Sequence, residues 1–303
     1  MTDFLPEPTL IAMPPDILPL SVDAVPHLRI PWDARFTLDE LRQIARTEPN
    51  LSVWNCRTGE YVIGGDWRHR QEIATIVDLA ATSGAIDVVH GLAALCQAHG
   101  RRLLVASEQA ERRKREFFAA VGMEELERIV VYELPRVRSG QTRNTLLRFE
   151  RLRLEDAQAL EELQQLDHRA FPWLWWNNER EFALYHGVEG VAVDVARDAT
   201  GTMVAYVGTT RFRGWGHLDR IAVAPERQGC GLGRVALDYA VMTLAASGAR
   251  RIGLSTQARN ERSRRLYESY GFQRTPSQDY SVFGRWLAPA AADAADNSDV
   301  LGR

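Results

Sequence analysis

From Thr145 to Leu287 the apolar positions change period along the chain, and each change marks an element boundary. The stretch TLLRFERLRL alternates apolar and polar residues and predicts a strand. DAQALEELQQLDHRAF instead sets Ala159, Leu163 and Leu166 at helical spacing. VAVDVA and TMVAYVGTT predict two strands joined by a turn at Asp198 to Gly201, and GHLDRIAVA predicts a third. In LGRVALDYAVMTLAASG the apolar residues at 232, 235, 236, 239, 240 and 244 define one buried helix face, ended near Gly248. RRIGLST predicts a strand, ERSRRLYESYGF a short helix closing at Gly271, and YSVFGRWL a last strand. This order predicts a mixed α+β domain.

The first half carries the same plan. FFAAVGM places Phe118 five residues before Met123, as LYESYGF places Tyr267 five before Phe272, and the two patterns lie 149 residues apart. The same offset sets Arg101-Arg102-Leu103 against Arg250-Arg251-Ile252, and Gly84 against Gly233. Repeated matches at one offset predict a tandem duplication. NLSVWN and EYVIGGDW fit the hairpin strands of the first copy. The polar stretch PRVRSGQTRN reads as a linker. The expected segments are an extended N-terminal stretch over the surface (1–21), a first copy (22–134), the linker (135–144), a second copy (145–287) and a disordered Ala- and Asp-rich tail (288–303).

Composition narrows the classes. The chain has 303 residues and a net charge of -3, which makes no electrostatic case for a nucleic-acid partner. No apolar run approaches the ~18 residues of a membrane span. Cys56, Cys96 and Cys230 share no close spacing, so neither a metal site nor a disulfide framework is expected. The proline-bearing N-terminus lacks basic residues and does not read as a signal peptide, so a cytoplasmic protein is the expectation.

The chemistry concentrates in VAPERQGCGLGR, Val223 to Arg234, between a predicted strand and a predicted helix. Gly229, Gly231 and Gly233 lack Cβ atoms and admit close approach to the backbone. The N–H groups of the loop and first helical turn, Cys230 and Leu232 included, have no intrahelical partners and suit an anion such as a pyrophosphate. Arg227 and Arg234 add positive charge, and Pro225 fixes the exit from the strand. No Gly-Lys-Ser/Thr follows, so this is not a phosphate loop of the nucleotide-triphosphatase kind. The next strand ends GLSTQ, without the acidic residue that a dinucleotide site wants. A tight turn with no ligand is the alternative.

VAPERQGCGLG resembles the acyl-CoA signature of the GNAT N-acetyltransferase superfamily, with Gln228, Gly231 and Gly233 on its positions. NERSRRLYESYGF resembles that family's later motif at Asn260, Leu266, Tyr267, Gly271 and Phe272. The resemblance spans about Thr145 to Leu287. It implies two tandem acyl-CoA N-acyltransferase folds, each a mixed, mostly antiparallel sheet flanked by helices. It further implies a splay between the two central strands, where acetyl-CoA enters and leaves as CoA. Ile221 and Val223 would offer backbone groups to the pantetheine, and Asn260 and Ser263 would help hold it. Asn260 is equally an N-cap. Tyr267 would donate a proton to the departing thiolate, unless it is a packing tyrosine. Asp219 and His217, two residues apart on one strand face, are the base candidates, unless both are merely exposed or Asp219 pairs with Arg220 or Arg213. In AFPWLWW, Phe171, Trp173 and Trp176 would wall the acceptor cleft or simply fill core, and Asp167 and Glu179 flank the run for an acceptor amine.

At the 149-residue offset the first copy has LAATSG opposite the glycine loop, Phe118 opposite Tyr267 and Glu111 opposite Asn260. It therefore departs from the family pattern and reads as a degenerate partner. The resulting expectation is acetyl transfer by direct attack of a primary amine, small-molecule or peptide, in a monomer or homodimer. Two tandem copies with a competent second one are similar in layout to mycothiol synthase, which implies a cysteinyl amine as one alternative. A CoA-binding module without catalysis is another.

Overall fold

The computed structural model describes residues 10–107, 113–137 and 147–288. In chain order the first half builds β1 (Ile17–Pro19), α1 (Leu38–Thr47), β2 (Ser52–Asn55), β3 (Tyr61–Trp67), β4 (Arg70–Ala80), α2 (Ala85–Ala98), β5 (Leu103–Ser107), α3 (Arg115–Ala120) and β6 (Glu124–Leu134). The second half builds β7 (Arg148–Arg151), α4 (Ala157–Ala170), α5 (Glu179–His186), β8 (Val191–Arg197), β9 (Met203–Phe212), β10 (Trp215–Val223) and α6 (Leu232–Ala246). It ends with β11 (Arg251–Gln257), α7 (Glu261–Tyr270), β12 (Gln273–Arg274) and β13 (Tyr280–Trp286).

By contacts the chain forms two compact units, one reaching Glu127 and including the chain from Tyr280, the other spanning Arg128–Asp279. In the first unit, β1 to β4 pair antiparallel in sequence order, β4 pairs parallel to β5, and β13 pairs antiparallel to β5. In the second, β7 to β10 pair antiparallel in order, β10 pairs parallel to β11, and β6 pairs antiparallel to both β11 and β12. The strands of each unit thus form a mixed, mostly antiparallel array, with the same order of connections. The last strand of each copy lies in the other copy's unit: β13 sits beside β5, and Arg128–Leu134 of β6 sits beside β11. The contiguous segments expected from the sequence do not contain this crossing.

Two local differences from expectation have simple causes. The N-terminal stretch does not merely lie over the surface, because Ile17 is 2% exposed within the first unit's core and β1 pairs with β2. Helix α5 follows a second polar cap, Asn178, and buries only Phe182, too little to register as periodicity. The linker beyond residue 137 and the tail beyond residue 288 lie outside the described residues.

In the second unit α6 buries Ala236, Leu237, Ala240, Val241 and Leu244 against Leu218, Ile252 and Leu254. The alanines let the helix lie close to the sheet; a Cβ on Gly216 of β10 would meet Leu244 at 2.9 Å. On the other face α4 and α5 pack Leu163, Leu166 and Phe182 against Val193, Tyr206 and Ala222. Strand β10 is therefore held between helix layers, and its end is where the loop begins.

Candidate active site

Strands β10 and β11 run parallel from Trp215↔Arg251 to Leu218↔Leu254 and pair no further. On its other side β10 stays bonded to β9 as far as Val223↔Ala205. Ala224 donates to Val204, so by antiparallel alternation Ile221 and Val223 turn their backbone groups away from β9 and into the gap. The strands thus part where a ligand can pair with one of them.

At the mouth of the gap lies a cavity of about 750 Å³. It is lined by Ile221 and Val223 of β10, by Gln228, Gly229, Gly231, Gly233 and Arg234 of the loop and α6, and by Asn260, Ser263 and Tyr267 of α7. Gly229 and Gly231 have φ of 82° and 83°, the left-handed region that glycine enters without strain. Gly231 caps α6 with no side-chain hydrogen bond. Among the described residues no acceptor meets the N–H groups of Gly229, Cys230, Gly231, Leu232 or Gly233. The cavity therefore borders the positive end of a 15-residue helix with its amides unclaimed. Gln228 braces the loop, donating from Nε2 to the Val223 carbonyl at 3.0 Å and accepting from Arg262.

Helix α7 starts at Asn260, whose Oδ1 accepts from the Ser263 N–H at 3.1 Å, and ends where Gly271 adopts φ 111°. The N-cap reading of Asn260 is thus present in the structure, and its amide NH₂ meets no acceptor among the described residues. Tyr267 is 4% exposed and lines the cavity. Burial pushes its hydroxyl up to about 12, with Ser263 pulling the other way. Its ring lies 6.1 Å from that of Tyr132 on β6, whose hydroxyl donates to Glu268 at 2.7 Å.

The second polar group is organised by a β-bulge. Leu218 opposes Thr209 and Arg220 opposes Gly208, so Asp219 is the extra residue. A bulge turns two successive side chains the same way. Asp219 accepts three hydrogen bonds, from Tyr185 at 2.6 Å, from Thr210 at 2.7 Å and from His217 Nδ1 at 2.8 Å. Burial and the Asp219 carboxylate hold the Tyr185 hydroxyl far above the usual tyrosine range. With Nδ1 donating to a carboxylate, the neutral form of the His217 ring carries its lone pair on Nε2.

Arg220, the next residue, reaches the aromatic run. Its Nε donates to the Tyr206 hydroxyl at 2.8 Å, its Nη2 to the Trp175 carbonyl at 3.0 Å and to Asp167, and its guanidinium lies 3.9 Å from the Phe171 ring centroid. Asp167 is fully buried and also accepts the Asn177 N–H at 2.8 Å. This corrects the expectation that Asp167 faces an acceptor amine, because its carboxylate is consumed inside the fold. Phe171 lines the cavity, whereas Trp173 and Trp176 are not among its lining residues. Trp176 instead stacks on His168 at 4.4 Å and donates to the Phe171 carbonyl. Arg227 pairs with Asp198 and Cys230 is exposed, and neither they nor Leu232 are among the residues that line the cavity.

Sequence reasoning missed Ala170, Pro172, Ala222, Gln257, Arg259, Glu261 and Arg262 in the lining, and Tyr185 and Thr210 around Asp219. Arg259 and Arg262 flank Asn260, and a count of cations beside that motif would have found them. Tyr185 has no such signal, being 34 residues from its partner. Among the described residues no group of His, Cys, Asp or Glu side chains is placed to hold a metal, and no helix is long and apolar enough to cross a membrane.

Comparison with known proteins places this geometry. The model of the acetyltransferase (GNAT) family matches residues 149–272. The [ribosomal protein bS18]-alanine N-acetyltransferase of Escherichia coli strain K12 is 32% identical over 121 residues, 40% of this chain and 77% of the relative. The fold is similar to a GCN5-related N-acetyltransferase from Sphaerobacter thermophilus, with a TM-score of 0.58, 13% identity and coverage of 92% of this chain and 98% of that one. It is also similar to a tandem GNAT protein from the clavulanic acid biosynthesis pathway, with a TM-score of 0.53, 14% identity and coverage of 90% and 99%. The splayed strands, the open helix start and these likenesses agree: the chain belongs to the GNAT acetyltransferase family, and its fold is similar to that of a tandem GNAT protein.

Proposed function

We propose that the second unit transfers an acetyl group from acetyl-CoA to a primary amine. What carries the reading is the row of unclaimed N–H groups from Gly229 to Gly233 at the mouth of the cavity. A diphosphate satisfies them, and Arg234, Arg259 and Arg262 add charge around it. The pantetheine pairs with the outward backbone groups of Ile221 and Val223, with the free amide of Asn260 and the hydroxyl of Ser263 nearby. The thioester supplies the activated acetyl group. The Val223 N–H polarises its carbonyl. His217 Nε2, oriented by Asp219, takes the proton that the attacking amine loses as the C–N bond forms. Tyr267 returns a proton to the sulfur as the C–S bond breaks. Asp219, already accepting three hydrogen bonds, is the orienting group rather than the base.

The first unit makes the contrast. Its loop before α2 is short, and the helix start is filled by Glu60, a carboxylate 2% exposed. Glu60 accepts from the N–H and hydroxyl of Thr82 at 2.8 and 2.9 Å and from the Gly84 N–H at 2.8 Å. Burial works to raise its pKa, but these bonds hold it below the usual glutamate range. An internal carboxylate thus stands where the second unit keeps its amides open, and Phe118 brings no hydroxyl. Glu111, opposite Asn260, lies outside the described residues. We therefore assign donor binding to the second unit alone.

The relative's alanine acceptor makes a peptide N-terminus the first amine to test. The experiment combines calorimetry with acetyl-CoA and thiol release over a panel of an alanyl peptide, a cysteinyl amine and small primary amines. One donor per chain, turnover on one acceptor class and loss of binding in Gly231→Trp are expected. No binding at millimolar donor defeats the reading. Binding without turnover on any amine leaves a CoA-binding module.

A further inference from the structure

Phe171 is held more tightly than a cavity-lining aromatic needs to be. Its N–H donates to the Asp167 carbonyl at 3.0 Å and its own carbonyl accepts from Trp176 Nε1 at 2.7 Å. Its ring face lies against the Arg220 guanidinium. That guanidinium is in turn fixed by Asp167, Tyr206 and the Trp175 carbonyl. Arg220 and Asp167 have side chains only 9% and 0% exposed, so moving one away strands the other without water. The guanidinium against the ring is therefore fixed, and the backbone that carries the ring is tied at both its N–H and its carbonyl.

Its position along the cavity follows from the strand. Going back from the glycine loop, Val223 and Ile221 line the cavity, and the next residue is Arg220, which carries Phe171. By that order along β10, Phe171 lies toward the end away from Gly229–Gly233. If a diphosphate occupies the helix start and the pantetheine runs along β10, that end receives the acyl group.

We propose that Phe171, clamped by Arg220, is the stop that sets acyl-chain length, admitting acetyl and excluding longer acyl groups. The inference rests on the acyl-donor reading above and moves Phe171 from the acceptor side to the donor side. A rigid wall discriminates because each extra methylene pressed against it costs roughly tenfold or more in binding.

The test is calorimetry of free CoA, acetyl-CoA, propionyl-CoA and butyryl-CoA on the full chain and on Phe171→Ala and Phe171→Trp. In the wild type, affinity falls about tenfold or more from acetyl to propionyl and by about as much again to butyryl. In Phe171→Ala that fall disappears, and in Phe171→Trp it begins already at acetyl-CoA, measured against free CoA. Free CoA, which has no acyl group, binds all three alike. Identical chain-length profiles in the wild type and both variants overturn the proposal. If Phe171→Ala also loses free CoA, Phe171→Leu replaces it, and an unchanged profile there is equally fatal. A wild type that binds neither free CoA nor acetyl-CoA fails the donor reading instead.

Discussion

At the scale of single residues the site depends on which form of each group survives burial. Tyr267 is walled in by Tyr132, Phe272 and the cavity, and its hydroxyl is pushed up to about 12. The neutral form that the proposed proton donation needs therefore persists across all ordinary pH and is lost on the alkaline side only near that value. Tyr267→Phe keeps the ring packing and removes the proton. We expect kcat to fall by about 10²–10⁴-fold with donor affinity unchanged. The wild-type pH–rate profile should show no alkaline fall centred at or below the ordinary tyrosine value of about 10. Such a fall, abolished in Tyr267→Phe, would show a hydroxyl that ionises too early for this role. The residue identity was legible from the Leu266-Tyr267 pair, but its neighbour was not. Tyr132 lies 135 positions earlier, in what read as the other copy.

At the scale of elements, the glycines of the loop separate into two that the backbone requires and one that it does not. Gly229 and Gly231 need their positive φ whatever binds. Gly233 sits inside α6 without it, and a Cβ there would make an ordinary 3.5 Å contact with Leu266. Nothing in the free protein demands glycine at that position. Gly233→Ala should therefore raise stability slightly, by about 0.5 kcal/mol as helix propensity predicts. The same change should weaken acetyl-CoA binding, because both Gly233 and Leu266 line the cavity. Thermal unfolding and calorimetry on one preparation read the two effects, and a variant with undiminished donor affinity would assign Gly233 to packing alone. Helices α4 and α6 were legible because one face of each is buried at helical spacing, strands β8 to β11 because their apolar runs end at turn residues, and α7, which buries only Tyr267, because Asn260 and Gly271 bracket it. The bulge at Asp219 was not: alternation correctly set His217 beside Asp219, yet nothing local announced that Arg220 would turn the same way. The Glu60 plug was hidden for a different reason, since its partners lie 22 and 24 residues ahead.

At the scale of the molecule, the duplication was legible and the crossing of strands was not. The 149-residue offset holds through the elements after the central strands: Phe118 falls in α3 as Tyr267 falls in α7. Phe118 stacks at 4.1 Å on Phe283 of β13, while Tyr267 faces Tyr132 of β6. Each helix thus meets a strand from the opposite copy, and sequence order alone cannot say which copy a terminal strand joins. The consequence is physical. A fragment cut as the sequence suggests, 145–287, lacks the strand that pairs with Ile252–Gln257 of β11 and carries Tyr280–Trp286, whose partner β5 is gone. It leaves Leu254 and Tyr267 without Val130 and Tyr132, two members of their core. A fragment of 128–279 keeps the pairing of β6 with β11 and β12 and the whole cavity. We expect the second fragment to melt cooperatively and to bind acetyl-CoA, and the first to do neither. Circular dichroism on heating and calorimetry with acetyl-CoA compare them directly. If 145–287 binds donor as well as 128–279 does, β6 is dispensable to the second unit and the strand crossing carries no function there.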